Sequence, residues 1–63
     1  MTIKEACEAM ISGERFIDAS GREFWISAVE IGGSVEISHG DPERPRAVWV
    51  HLSDSKYFGG VSV

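Results

Sequence analysis

Apolar residues at Ile3, Ala6, Cys7, Met10 and Ile11 follow an i, i+3, i+4, i+7, i+8 spacing. On a 3.6-residue repeat that spacing makes one continuous stripe, so it predicts an amphipathic helix over about residues 3 to 12 with Lys4, Glu5 and Glu8 toward water. Thr2 and Glu5 stand three residues apart at its start, the pattern of a capping box, in which each side chain satisfies an orphan backbone amide. Gly13 ends it, because glycine reaches the left-handed conformation without the penalty a Cβ would impose.

Beyond Gly13 the pattern shortens to β-rich runs divided by turn residues. Arg15 to Asp18 and Glu23 to Ile31 flank Ala19-Ser20-Gly21, a loop of hairpin length. Gly32-Gly33 precedes Ser34 to Ser38, where Val35 and Ile37 alternate with Ser34, Glu36 and Ser38, as in a half-buried antiparallel strand. His39 to Pro45 contains two prolines and a glycine and is expected to be the one substantial loop, leading into a fourth run, Arg46 to Leu52. One helix followed by a meander of about four strands is an α+β arrangement, with the helix stripe packed on one sheet face and the whole of residues 1–63 as a single small domain.

Period-two geometry then assigns the sheet faces. With Phe24, Ile26, Val35, Ile37, Val48, Val50 and Leu52 toward the core, Trp25, Ser27, Ala47, Trp49 and His51 point the other way. Glu30 breaks the register unless a bulge near Ala28 returns Val29 and Ile31 to the inside. The stretch Ser53 to Val63 reads as a turn and a short edge strand.

Length changes the picture by limiting the core. A domain of 63 residues buries only about 60% of the surface its unfolded chain exposes. The single cysteine, Cys7, excludes an intramolecular disulfide, and a homodimer is one way to add burial. The acidic N-terminal residues do not resemble an export signal, and the longest apolar runs, Phe24-Trp25-Ile26 and Ala47-Val48-Trp49-Val50, fall far below the roughly 20 residues of a membrane span. A soluble, cytoplasmic protein is expected.

Charge changes it again. The formal net charge is −4, and it is unevenly placed. Residues 1 to 43 hold nine acids against three bases, a balance of −6, while residues 44 to 63 hold three bases against one acid, +2. Between Glu23 and Glu43 there is no lysine or arginine. Such a surface repels a phosphate backbone, which argues against direct nucleic-acid binding.

Candidate chemistry is sparse. Cys7 lies on the helix stripe beside Met10 and reads as a small buried hydrophobe rather than an activated thiolate. His39 and His51, with Asp41 or Asp54, match no metal-ligand spacing. Ser27, Ser53 and Ser55 lack the Gly-x-Ser-x-Gly elbow of a hydrolase, and no cofactor, catalytic residue or metal ligand is expected. Two sets remain: Trp25 and Trp49, which either fill the core or share an outward face suited to a protein partner, and the acids Glu23, Glu30, Glu36, Asp41 and Glu43, which either keep the chain soluble or present a field of one sign to a basic groove.

A short acidic chain built as a capped helix, Gly13 and a meander resembles the small phage-encoded anti-CRISPR proteins, particularly inhibitors of type I systems. The resemblance rests on size, charge and layout, with no motif to transfer residues. It implies a non-enzymatic inhibitor in the host cell cytoplasm that binds a CRISPR effector complex, or another basic nucleic-acid-binding protein, and blocks access of target DNA with carboxylates in place of phosphates. Glu23, Glu30, Glu36, Asp41 and Glu43 would form its electrostatic footprint, with Trp25 or Trp49 as an apolar anchor. The alternative is a small phage or host adaptor that binds a protein through a sheet edge or a tryptophan-bearing face.

Overall fold

A computed structural model describes residues 1–59: α1 (Ile3–Ser12), β1 (Arg15–Ile17), β2 (Glu23–Val29), β3 (Ser34–Asp41), β4 (Arg44–His51) and α2 (Ser55–Phe58), in that order. The four strands form one antiparallel sheet in the order β1-β2-β3-β4, and the N-terminal helix packs across it on β2, giving the α+β meander expected from the pattern.

The ends of α1 follow from its terminal residues. The Glu5 amide donates to Thr2 Oγ1 at 3.1 Å and the Thr2 amide to Glu5 Oε1 at 2.9 Å, closing the capping box. Those bonds, the backbone one foremost, hold the Glu5 carboxyl below its ordinary value. Gly13 closes the helix at φ 71°, its amide donating to the Ala9 and Met10 carbonyls. The buried line, however, is Ala6 and Ala9, with Cys7 and Met10 half-buried. Ile3 and Ile11, expected on the stripe, are 40% and 82% exposed. A ten-residue helix is only about 15 Å long. Its buried residues are the two alanines near its middle, and the isoleucines near its ends are left exposed.

The core is Ala6, Ala9, Phe24, Ile26, Val35, Ile37, Leu52 and Phe58. Phe24 is its centre: Phe16 stacks on it at 5.5 Å, while Tyr57 and Phe58 meet it edge-on at 5.6 and 5.8 Å. Offset and T-shaped contacts of this kind add to the area term, itself about 1.5–3 kcal/mol for each large apolar side chain buried.

The register Ile26↔Ile37 and Ile37↔Val48 puts these residues on the inner face, as period two requires. A bulge between Ile26 and Ala28 then returns Val29 to the inside opposite Val35. It does not return Ile31. The strand ends at Val29, a tight turn closes with Glu30 N–H donating to Ser34 O and Gly33 N–H to Glu30 O, and Ile31 projects from the tip at 93% exposure.

The loop expected over His39 to Pro45 is instead mostly strand. β3 continues to Asp41, β4 starts at Arg44, and only Pro42 and Glu43 turn between them. Position matters here more than the number of breakers. Pro42 directly follows Asp41, whose carboxylate accepts the Glu43 amide at 3.0 Å, an Asx turn. Pro45 lies on an edge strand, where a missing N–H costs the ladder nothing if it points outward. Asp18, expected in the first strand, sits in the β1–β2 turn. Residues after His51 form a turn and the short α2, whose first turn is capped by Asp54 accepting the Lys56 amide at 2.9 Å. The turn and short edge strand expected over Ser53 to Val63 are thus, as far as Gly59, a turn and a helix, because Asp54 caps a first helical turn; the rest of that stretch lies outside the described residues. No helix among the described residues is long and apolar enough to cross a membrane.

Candidate protein-binding face

The outer sheet face is set by the same register that builds the core. Arg15 pairs with Trp25, Trp25 with Ser38, and Ser38 with Ala47, making one row across all four strands. The next row is Ala28, Glu36 and Trp49. Both tryptophans therefore project from the face opposite the helix, two strands across and one row along, roughly 12 Å apart, with Glu36 and Ser38 between them. Trp49 is 53% exposed and Trp25 half-buried.

Each indole is held differently. The Arg15 guanidinium lies over the Trp25 ring at 4.1 Å and reaches Glu23 at 4.0 Å, fixing the ring between strand and cation. Trp49 stands on β4, an edge strand among the described residues. Ile17, paired with Glu23, continues the face at 61% exposure.

A small polar device occupies the floor. The Ser27 hydroxyl lies 3.0 Å from Glu36 Oε1, 3.2 Å from the Glu36 carbonyl and 2.8 Å from Ser38 Oγ. With Ser27 donating to Glu36, Ser38 donates to Ser27, and the chain of hydroxyls orients the carboxylate. The bulge places Ser27 and Ala28 on this same face, which is how β2 brings a hydroxyl beside Glu36. The result is one carboxylate, held on a rigid sheet and flanked by aromatic surface. It can accept a cationic side chain, and the indoles can cover that side chain's methylenes.

The remaining candidate acids do not join Glu36. Glu30 sits at the β2–β3 turn, whereas Asp41 and Glu43 sit at the β3–β4 turn, the opposite end of β3. Glu23 is beside Arg15, and Asp41 is paired in register with Arg44. The stretch without bases in the linear sequence is thus met by an arginine of a neighbouring strand at Glu23. A different set, Glu5, Glu8 and Glu14, borders an open depression on α1 with Ala9 and Ser12. Spacing along the helix could have shown Glu5 and Glu8 together; Glu14 joins them only because the chain reverses at Gly13.

Arg15 and Ile17 were missed as members of the face. Their signal was present: they flank Phe16, and if Phe16 is inward its neighbours are outward. Asp18 was missed as a structural acid. It is 8% exposed, and its Oδ1 accepts the Ser20 hydroxyl at 2.7 Å and the Ser20 and Arg22 amides at 2.9 Å each. The Ser20 hydroxyl bond first, then the Arg22 amide bond, holds its carboxyl below the ordinary value.

The histidines lie apart. His39 faces inward opposite Phe24 and Arg46, while His51 is at the other end of β4. His51 Nδ1 is 2.8 Å from Ser53 Oγ and accepts the Ser53 amide at 3.1 Å, and Nε2 is 3.3 Å from the Gly32 carbonyl. That ring latches two turns together, with a carbonyl where a catalytic triad would place a carboxylate. Among the described residues no three His, Cys, Asp or Glu side chains converge as metal ligands. Comparisons with protein-family models, curated proteins and solved structures return no match.

Proposed function

We propose that this chain is a non-enzymatic binding module that engages a protein partner through its outer sheet face, with Trp49 and Trp25 as apolar anchors and Glu36 receiving a basic side chain. The observation that carries the reading is the placement of both tryptophans on the one face the helices leave open, around a carboxylate oriented by two hydroxyls. Tryptophan concentrates binding energy at interfaces, and truncating such an anchor costs about 2 kcal/mol or more.

An anti-CRISPR inhibitor that holds carboxylates in place of phosphates is the second reading. The net charge of −4 supports it. Its footprint of Glu23, Glu30, Glu36, Asp41 and Glu43 has Glu23 beside Arg15 and Glu30 at the opposite end of β3 from Asp41 and Glu43, so it gains less from the arrangement. A basic CRISPR effector complex nevertheless suits both readings as a partner, since Glu36 asks for a cation.

Capture of partners from a CRISPR-bearing bacterial lysate separates them. The tryptophan-face reading expects Trp49→Ala to raise the dissociation constant for the captured protein about thirtyfold and so to lower its recovery. It also expects the triple reversal Glu30→Lys, Asp41→Lys and Glu43→Lys to retain the protein, and recovery to persist at high salt. The reverse pattern would support the phosphate mimic.

A further inference from the structure

The two edges of the sheet are unequal. β1 is three residues long, whereas β4 is eight, and among the described residues no strand pairs with its outer side. The Leu52 amide donates to the Gly33 carbonyl at 2.9 Å. Continuing that register, Val50, Val48 and Arg46 turn their amides and carbonyls toward β3, so those of His51, Trp49 and Ala47 point away from the sheet. Pro45 falls in the outward set, where its missing N–H breaks no bond to β3.

Side chains along this edge are also uncovered. Val48 belongs to the inner face opposite Ile37, yet it remains 40% exposed. Ala47-Val48-Trp49-Val50 contains no charge, so the middle of the strand lacks the lysines, bulges and inward charges that usually protect an edge.

The geometry points to a second copy of this chain as the occupant, paired antiparallel along β4 about a twofold axis through Trp49. In that register Trp49 faces Trp49, and Ala47 faces His51 of the second copy. Every outward amide from Ala47 to His51 is then used, in about six ladder bonds. Val48 faces Val50 of the second copy on the inner side. Centring the pair on Ala47 instead would bring Pro45 into the ladder opposite Trp49 and set the two Arg46 side chains on one diagonal. Centring on Trp49 keeps Pro45 outside and carries Arg44 and Arg46 toward the turn that bears Asp54 of the second copy, base toward acid. The product is a continuous eight-stranded sheet with both tryptophan faces on one side. It stands independently of what that face binds.

Sedimentation equilibrium of the full chain, from micromolar to millimolar, tests this. A reversible dimer is expected, and a monomer throughout would overturn the inference. Ala47→Pro removes only an outward amide and is expected to raise the dimer dissociation constant about tenfold or more; Val48→Lys is expected to do the same by charge. If both variants keep their circular dichroism and still dimerise as the native chain does, the β4 assignment fails. Hydrogen exchange on the native chain decides the matter without any variant. The Ala47, Trp49 and His51 amides should slow as concentration rises. Unchanged exchange at concentrations where the dimer forms would place the contact elsewhere and overturn the pairing.

Discussion

The two faces of the sheet use alternate residues of the same strands and differ in almost every property. Phe24, Ile26, Val35 and Ile37 are 0–3% exposed beneath the helices. Trp25 and Glu36, their immediate neighbours in sequence, look outward with Trp49 of β4 from a floor of hydroxyls and small side chains. The difference teaches that fold and binding surface are written in one stretch of chain at a period of two. A single step along β3 therefore moves a substitution from stability to recognition.

The comparison breaks most completely on the inner side. Ile37→Ala removes a fully buried side chain and is expected to cost about 2–5 kcal/mol. A domain of this length has only roughly 3–9 kcal/mol in total. Urea unfolding followed by circular dichroism should show the midpoint collapse; a midpoint within a few tenths molar of the native one would show the core misassigned.

Gly33→Ala should cost less, about 1–3 kcal/mol. The residue has φ +92°, and an added Cβ would lie 2.9 Å from His51 Nε2. The thermal midpoint reports the loss, and the combination with His51→Ala should recover the steric part while leaving the φ penalty.

Acid sharpens the comparison at the sheet's turn. The Asp18 carboxyl titrates lower in the folded chain than unfolded. Its contribution is therefore complete above the unfolded value of about pH 4 and is lost as pH falls through the folded value. Thermal midpoints between neutral pH and pH 2 should fall less steeply for Asp18→Asn than for the native chain. Equal slopes would remove Asp18 from the acid response.

Much of this was legible in the sequence because the relevant signals are local. The Thr2 and Glu5 pair, Gly13, and the alternation through Val35 and Ile37 each fix their element within a few residues. The assignment of Trp25 and Trp49 to one face follows from period two and from nothing more distant. What could not be read depends on neighbours far along the chain. Breaker count suggested a loop at His39 to Pro45, although the effect of Pro45 depends on which side of β4 carries a partner strand. The acids looked uncompensated because Arg15 reaches Glu23 only once β1 and β2 pair. The exposure of Ile11 and Ile31 reflects the ends of α1 and β2, which periodicity alone does not mark.

The separation of the two faces is tested most directly by Trp49→Ala, measured for stability and for partner capture on the same preparation. A side chain that is 53% exposed and outside the core should change stability by no more than about 0.5 kcal/mol while affinity for the bound protein falls about thirtyfold. A large loss of stability, or undiminished capture by a folded variant, would contradict the account.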